Sequence, residues 1–87
     1  MPPGTIEQTI LLVDEDLDFL NWATKHLEAE GLRILRCDNG ESAIKVVGKT
    51  SIDLVIADIQ LRPFDGLELL SRLRAKNTNA VVVLTAG

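Results

Sequence analysis

The sequence predicts an α/β domain built on a doubly wound parallel sheet, in the order β-α-β-α-β-α-β. Four short apolar runs alternate with three stretches whose apolar residues recur at helical spacing. Runs this apolar are typical of buried strands, and strands that alternate with helices pair in parallel through right-handed crossovers. Residues 9–87 are expected to form one domain. Residues 1–8, which include Pro2, Pro3 and Gly4, are expected to be a flexible leader.

The first strand and the first helix are predicted between residues 9 and 31. TILLV, Thr9 to Val13, is a short β-branched and leucine run that stops at the acidic triplet DED. Asp16 is the expected N-cap of the helix, because its carboxylate can accept backbone N–H groups of the first turn. Gly31 is the expected C-terminal stop. The apolar residues with helical spacing are Leu17, Leu20, Ala23 and Leu27.

The second strand is expected at an edge of the sheet. LRILRC, residues 32–37, alternates apolar and basic positions, which suits a strand with one wet face. The turn DNG then leads into a short second helix that is expected to end before Gly48. Its apolar residues are Ala43, Ile44, Val46 and Val47.

The third strand runs straight into a charge. LVIA, Leu54 to Ala57, is followed by Asp58, and Asp65 is expected to form the turn before Gly66. A third helix is predicted to end near Lys76, with apolar residues at Leu67, Leu69, Leu70 and Leu73. AVVVLTAG, residues 80–87, is the predicted fourth strand.

Composition excludes several classes of protein. The chain has 87 residues and a formal net charge of −4, from 13 acids against 9 Lys and Arg, which weighs against nucleic acid or an anionic membrane as a direct partner. Cys37 is the only cysteine, so an intramolecular disulfide is impossible. No apolar run approaches the roughly 20 residues that span a bilayer, and the amino end lacks the pattern of a signal peptide. A cytoplasmic module is the expectation.

Acidic and hydroxyl side chains follow three of the predicted strands. Asp14, Glu15 and Asp16 follow the first strand, Asp58 the third, and Thr85 the fourth. Parallel strands point their carboxyl ends to one edge of the sheet, where ligands bind, and converging carboxylates repel one another unless a cation neutralises them. A hard divalent ion such as Mg²⁺ suits such oxygens and takes further ligands from a phosphate. Asp58 is therefore a candidate nucleophile for a phosphoryl group, and Thr85 a candidate donor to it.

Each of these residues also has an ordinary structural interpretation. Asp16 is more simply a helix cap than a ligand. Asp58 alone would be a solvated loop acid, and Thr85 alone a strand residue with β propensity. The joint pattern at one edge is far more specific than its parts.

Three segments resemble the receiver domain of bacterial two-component response regulators. ILLVDED resembles the acidic end of its first strand, DLVIADIQLRPFDGLELL its phosphoacceptor strand, loop and third helix, and AVVVLTAG its fourth strand. DNGESAI resembles its lead into the second helix. The resemblance covers nearly all of residues 9–87 and implies a flavodoxin-like fold.

The resemblance implies a role for each residue of the acidic edge. Asp58 would be the phosphoacceptor, and Mg²⁺ would be bound by Glu15 directly, by Asp14 largely through water, by Asp58 and by the backbone carbonyl of Gln60. Thr85 would turn toward the phosphoryl group. The donor would be a phosphohistidine of a sensor histidine kinase or phosphotransfer protein, so that the chain is not a turnover enzyme. The family commonly meets its kinase on the first helix, here around Trp22, Lys25 and His26, although a solvated face with one packed Trp is an equal interpretation.

Two features depart from the family pattern. Arg62 stands where the family usually has Pro, and Pro63 follows one residue later. The sequence also stops after the fourth strand, before the helix, lysine-bearing fifth strand and last helix with which the receiver fold continues. The fourth strand is therefore expected at an uncovered edge, which suggests a homodimer or a strand-exchanged oligomer.

Two other functions stay open at this point. A non-phosphorylated pseudo-receiver that acts as a protein-interaction module is favoured by the missing lysine and disfavoured by the intact acids. A phosphatase with an Asp nucleophile would need a second Asp two residues after Asp58, where this sequence has Gln60.

Overall fold

The computed structural model describes residues 8–76 and 79–86, which form one parallel four-stranded sheet in the order β2-β1-β3-β4. The predicted alternation of strands and helices is confirmed. The elements are β1 (Thr9–Val13), α1 (Leu17–Glu28), β2 (Arg33–Cys37), α2 (Gly40–Lys49), β3 (Leu54–Asp58), α3 (Gly66–Ala75) and β4 (Val81–Thr85). The expected leader lies outside the described residues except for Gln8, whose carbonyl accepts the Arg33 N–H at 2.9 Å.

Each helix begins at a side chain that caps its first turn. Asp16 accepts the Phe19 N–H at 3.2 Å, as the sequence predicted, and Asn39 accepts the Ser42 N–H at 2.8 Å. Asp65 accepts the Glu68 N–H at 2.9 Å, so it caps α3 in addition to forming a turn.

The helix boundaries agree with the sequence with one exception. Gly31, at φ 84°, ends the turn after α1 in the left-handed conformation that glycine tolerates. The prediction that the second helix ends before Gly48 is wrong, because α2 continues through Gly48 to Lys49. A single glycine in a helix costs about 1 kcal/mol relative to alanine, which the packing of the apolar face of α2 outweighs.

The helices lie on both faces of the sheet, and β1 is buried along its whole length. Leu20 and Ala23 of α1 pack on one face against Ile10 and Leu12. α2 and α3 cover the other face, where the buried residues are Leu11, Val13, Ala43, Val55, Ala57, Leu61, Leu69, Leu73 and Ala80. The central position of β1 explains its run of five apolar or β-branched residues.

The two edge strands differ in how they meet solvent. β2 lies at an edge, as predicted, but the expected single wet face is wrong: Ile34 and Leu35 pack on opposite faces, and the exposed Arg33 and Arg36 are three positions apart. The apolar run of β4 alone is typical of a buried strand, but β4 lies at an edge of the described sheet, as the resemblance led us to expect, with Val81 60% and Val83 44% exposed. These two residues pair with Leu54 and Ile56 on the α1 face. α1 lies toward β2, and so this part of the face stays open.

Among the described residues, no helix combines the length and the apolar composition that crossing a bilayer requires.

Candidate functional site

The site lies where β1, β3 and β4 end at the same edge of the sheet. Asp14 follows β1 directly, Asp58 is the last residue of β3, and Thr85 is the last residue of β4. Asp58 and Thr85 are partners in the parallel register of β3 and β4, which the Ile59 N–H extends by donating to the Thr85 carbonyl at 2.9 Å. The register of the sheet therefore places these side chains at one edge, as the strand pattern predicted.

A cavity of about 290 Å³ collects the side chains at this edge. It is lined by Asp14, Asp16, Phe19, Asp58 and Thr85. Three of these were predicted site residues. Asp16 was predicted as a cap alone, and Phe19 was not predicted. The sequence feature that could have predicted Phe19 as a site residue is its position three residues after the N-cap Asp16. This position places it in the first turn of α1, close to the strand ends.

Hydrogen bonds to backbone groups hold the two reactive candidates, Asp58 and Thr85. The Gln60 N–H donates to Asp58 Oδ1 at 3.0 Å, and the Thr85 hydroxyl donates to the Ala57 carbonyl at 3.4 Å. The Thr85 bond is long, so little energy holds that hydroxyl in place. Within residues 8–76 and 79–86, no hydrogen bond engages Asp58 Oδ2. One oxygen of Asp58 is thus oriented by backbone and the other is available for chemistry.

Negative charge accumulates in the cavity. Burial raises the pKa of Asp14 above its ordinary value, and the charges of Asp58, Asp16 and Glu15 raise it further. The Asp16 N–H opposes this by donating to Asp14 Oδ1 at 2.9 Å. The carboxylates therefore stand without full compensation, and a bound cation would lower their mutual repulsion.

Glu15 points away from this cavity toward a neighbouring groove. Arg62 Nε donates to Glu15 Oε2 at 3.0 Å and to Oε1 at 3.3 Å. The groove has a volume of about 620 Å³ and is lined by Glu15, Asp38, Asn39, Glu41, Arg62 and Pro63. The predicted metal ligand Glu15 and the predicted pair Asp14 and Asp58 thus line adjacent cavities.

The predicted ligands offer the kind of oxygen atoms that Mg²⁺ binds, although their carboxylates do not converge on one point in the structure. Among the described residues, no group of three or more His, Cys, Asp or Glu side chains converges closely enough to hold a metal ion. Carboxylate and carbonyl oxygens are the ligands that Mg²⁺ takes, and it commonly uses one or two carboxylates with waters and a phosphate. Such oxygens are present on Asp14, Glu15, Asp58 and the backbone carbonyl of Gln60. The Glu15 carboxylate is already paired with the Arg62 guanidinium.

The loop from Asp58 to Gly66 is closed tightly on the end of β3. The Gly66 N–H donates to the Ile59 carbonyl at 2.9 Å. A Cβ at position 66 would lie 2.6 Å from the Asp58 carbonyl oxygen and 2.9 Å from Ile59 Cα, so glycine is required by this approach. The start of α3 thus presses directly on the backbone of Asp58.

The same loop is anchored to α2 and α3 by an aromatic side chain. The Phe64 ring lies against Gly40, where a Cβ would collide with it. The Arg72 guanidinium lies 4.0 Å from the centre of the same ring. Arg62 and Pro63, joined by a cis peptide bond, lie before Phe64 and border the groove.

Comparisons with known proteins agree on one family. The family model described as the response regulator receiver domain matches residues 10–87. The chain is 34% identical over 76 residues to the heme response regulator HssR of Staphylococcus haemolyticus, a match that covers 87% of this chain and 34% of the relative. The HssR protein of Staphylococcus aureus strain MRSA252 is 33% identical over the same length.

Solved structures of response regulators share the fold. The response regulator TrrA, solved in complex with the histidine kinase ThkA, is 32% identical with a TM-score of 0.85, over 92% of this chain and 69% of that one. The response regulator MaeR, bound to beryllium trifluoride, is 28% identical with a TM-score of 0.83, over 92% of this chain and 67% of that one.

The acidic strand ends and the flavodoxin-like sheet define a signalling module of the two-component class. The chain belongs to the response regulator receiver domain family. It spans about a third of the length of the curated relatives that it matches.

Proposed function

We propose that this receiver domain accepts a phosphoryl group on Asp58 and holds Mg²⁺ through Asp14, Glu15, Asp58 and the carbonyl of Gln60. The observation that supports it best is the cavity that Asp58 shares with Asp14 and Thr85 at the carboxyl edge of the sheet. Residues 9–87 act as one unit in this proposal, and the chain works in the cytoplasm.

The chemistry follows from which oxygen of Asp58 is engaged. Gln60 N–H orients Oδ1, which leaves Oδ2 to attack phosphorus in line. A bond forms between Oδ2 and phosphorus while the bond between phosphorus and the donor's histidine nitrogen breaks, and the imidazole leaves with that electron pair. Bound Mg²⁺ supplies charge neutralisation for the transferring oxygens. Each chain takes up one phosphoryl group and is not regenerated within the step, so the domain is a substrate of its donor and not a turnover enzyme.

Thr85 is proposed to respond to the new phosphoryl group. Its hydroxyl is held only by a 3.4 Å bond to the Ala57 carbonyl, and it lines the same cavity as Asp58. Once the oxygens of the phosphoryl group are present, a charged acceptor competes with a neutral carbonyl, and hydrogen bonds to charged groups are roughly twice as strong. The resulting turn of Thr85 would change the surface of β4.

We propose a sensor histidine kinase, or a phosphotransfer protein, as the donor partner, and the exposed side of α1 as its contact. Phe19 lines the acidic cavity. Trp22 is exposed next to Phe19, and the centroids of the two rings lie 6.3 Å apart. The His26 ring lies 4.7 Å from the Trp22 ring at a tilt of 35°, and its Nδ1 is hydrogen-bonded to the Trp22 carbonyl at 2.9 Å. An exposed aromatic row next to the reactive carboxylate suits a protein partner that must bring a histidine to Asp58. The solved complex of TrrA with ThkA supports the choice of partner.

A second proposal concerns self-association through β4. This strand lies at an edge of the described sheet, with Val81 and Val83 exposed. An exposed apolar edge strand can pair with another chain, which gives a homodimer or a strand-exchanged oligomer. Sedimentation equilibrium showing a monomer at high concentration would exclude this proposal and leave phosphorylation untouched.

Intact-mass analysis tests the phosphoacceptor proposal. The chain is incubated with acetyl phosphate, with and without Mg²⁺, and compared with Asp58→Asn and with Asp65→Asn as a matched control. Asp65 lies in the same loop, and asparagine preserves its capping role. A Mg²⁺-dependent gain of one phosphoryl group in the wild type and Asp65→Asn, absent in Asp58→Asn, is expected. A folded wild type that gains nothing would favour the non-phosphorylated interaction module.

A further inference from the structure

Glu15, one of the proposed metal ligands, already forms an ion pair with the guanidinium of Arg62. Arg62 Nε donates to both oxygens of Glu15, at 3.0 and 3.3 Å, across 47 positions of sequence. The Glu15 side chain is 34% exposed and that of Arg62 84% exposed, so the carboxylate is the more sheltered partner. The contact joins the loop after β1, which carries Asp14, to the loop after β3, which begins directly after Asp58.

We propose that Arg62 competes with Mg²⁺ for Glu15, so that loading of the metal requires Glu15 to exchange its guanidinium for the ion. The inference rests on the proposed function, because it takes Glu15 as a metal ligand. Arg62 is a positioning residue in this account: it sets how readily Glu15 joins Asp14 and Asp58.

The geometry explains why Glu15 cannot pair with Arg62 and bind Mg²⁺ at the same time. Arg62 Nε contacts both carboxylate oxygens of Glu15, so these oxygens face Arg62 and the groove. Asp14 and Asp58 line the other cavity, which Glu15 does not line. Glu15 must therefore turn from the groove toward the cavity to serve as a common ligand, and this turn breaks the contact with Arg62.

The cost of releasing Arg62 is modest, which suits a competitor that an ion can displace. Ion pairs between exposed side chains are weak, so the expected penalty on Mg²⁺ affinity is at most about fivefold. The groove also carries Asp38 and Glu41, so a displaced guanidinium remains among carboxylates. Because the pair is exposed to solvent, salt should weaken it.

Calorimetric titration with MgCl₂ alone, without a phosphodonor, tests the inference. The chain is compared with Arg62→Ala and with Arg33→Ala as the charge-matched control, because Arg33 is exposed at the opposite end of β2 from the site. Arg62→Ala should bind Mg²⁺ up to about fivefold more tightly than the wild type, and Arg33→Ala should change affinity less. Equal affinities in the wild type and Arg62→Ala would overturn the inference.

The side-chain N–H resonance of Arg62 gives a second readout that a merely structural ion pair would not move. In ¹H–¹⁵N spectra the Arg62 Nε–H peak should shift during the MgCl₂ titration toward its position in Glu15→Gln. A peak that stays fixed while the wild type binds Mg²⁺ would overturn the competition and leave the proposed function standing. A folded wild type that does not bind Mg²⁺ at all would overturn both.

Discussion

Thr85 lies directly across from Asp58 in the register of β3 and β4, and its hydroxyl donates to the neighbouring Ala57 carbonyl at 3.4 Å. The two strands are further joined by the Ile59 N–H, which donates to the Thr85 carbonyl at 2.9 Å. The backbone of this pair is thus held firmly while the hydroxyl is held weakly. A side chain in that situation can change partner without disturbing the sheet.

We therefore expect Thr85→Val to separate phosphorylation from its structural response. Valine keeps the shape and the β propensity, and the loss of one long hydrogen bond should cost about 0.5–1 kcal/mol of unfolding free energy. The variant should still gain a phosphoryl group. The amide shifts that phosphorylation causes in β4 should shrink strongly in ¹H–¹⁵N spectra, and wild-type shifts in the variant would contradict the role given to the hydroxyl.

The same substitution at two glycines should have opposite effects on stability. Gly66→Ala places a Cβ 2.6 Å from the Asp58 carbonyl oxygen, and relief of that clash should cost about 1–3 kcal/mol. At Gly48, inside α2, an added Cβ meets nothing within 4 Å, so alanine should stabilise by about 0.5–1 kcal/mol. Urea unfolding measures both. Equal destabilisation by Gly66→Ala and Gly48→Ala would contradict the close packing of Gly66 against the Asp58 backbone.

Cys37 should be a slow nucleophile in the folded protein. Burial raises the pKa of its thiol from 9.0 to about 11, and the thiol donates to the Asn39 carbonyl at 3.7 Å. Since only the thiolate reacts, two units of pKa lower its reactive fraction roughly 100-fold at pH 8. Alkylation by iodoacetamide should be slower by at least that factor in buffer than in denaturing urea. Comparable rates would place Cys37 in a more open environment than the structure shows.

The contribution of Asp14 to stability should fall as the pH rises through the titration of this group. Burial, then the charges of Asp58, Asp16 and Glu15, raise the native pKa of Asp14 above its ordinary 3.8. Well below pH 3.8 the group is protonated in both states and carries no penalty. Between that value and the raised native pKa the folded state binds more protons than the unfolded state, so its advantage is lost with increasing pH.

Urea unfolding of the wild type and Asp14→Asn at a series of pH values measures this contribution. The variant lacks the titrating group, so its stability relative to the wild type should increase as the pH rises from 4 toward neutrality. Adding Mg²⁺ at pH 7 should stabilise the wild type and do less for Asp14→Asn. A difference between the two proteins that stays constant with pH would contradict the raised pKa.

The sequence was most informative where one local pattern had one physical solution. The apolar run of β1 predicted a buried strand, because only a strand covered on both faces can bury five such residues in succession. Asp16 could be predicted as a cap because the contact that it makes lies within its own turn. Asp58 and Thr85 could be predicted as neighbours because parallel strands end at one edge.

The sequence was least informative where the outcome depends on distant side chains. Gly48 was expected to end α2, but packing decides the length of a helix more than one residue's propensity does. The apolar run of β4 alone would place Val81 and Val83 in the core, because whether a helix covers that part of the sheet is not a local property. The contact between Glu15 and Arg62 joins two flexible side chains from separate loops, which no spacing rule encodes.

The central claim is that Asp58 carries the phosphoryl group, and chemical trapping tests it most directly. The chain is treated with acetyl phosphate and Mg²⁺ and then reduced with borohydride, which converts an aspartyl phosphate to homoserine while ordinary aspartate is unchanged. Peptide mass spectrometry then reads which acid was modified. We predict homoserine at position 58 alone, dependent on Mg²⁺. Modification at Asp14, Asp16 or Glu15 in place of Asp58, or no modification in a folded sample, would contradict the account.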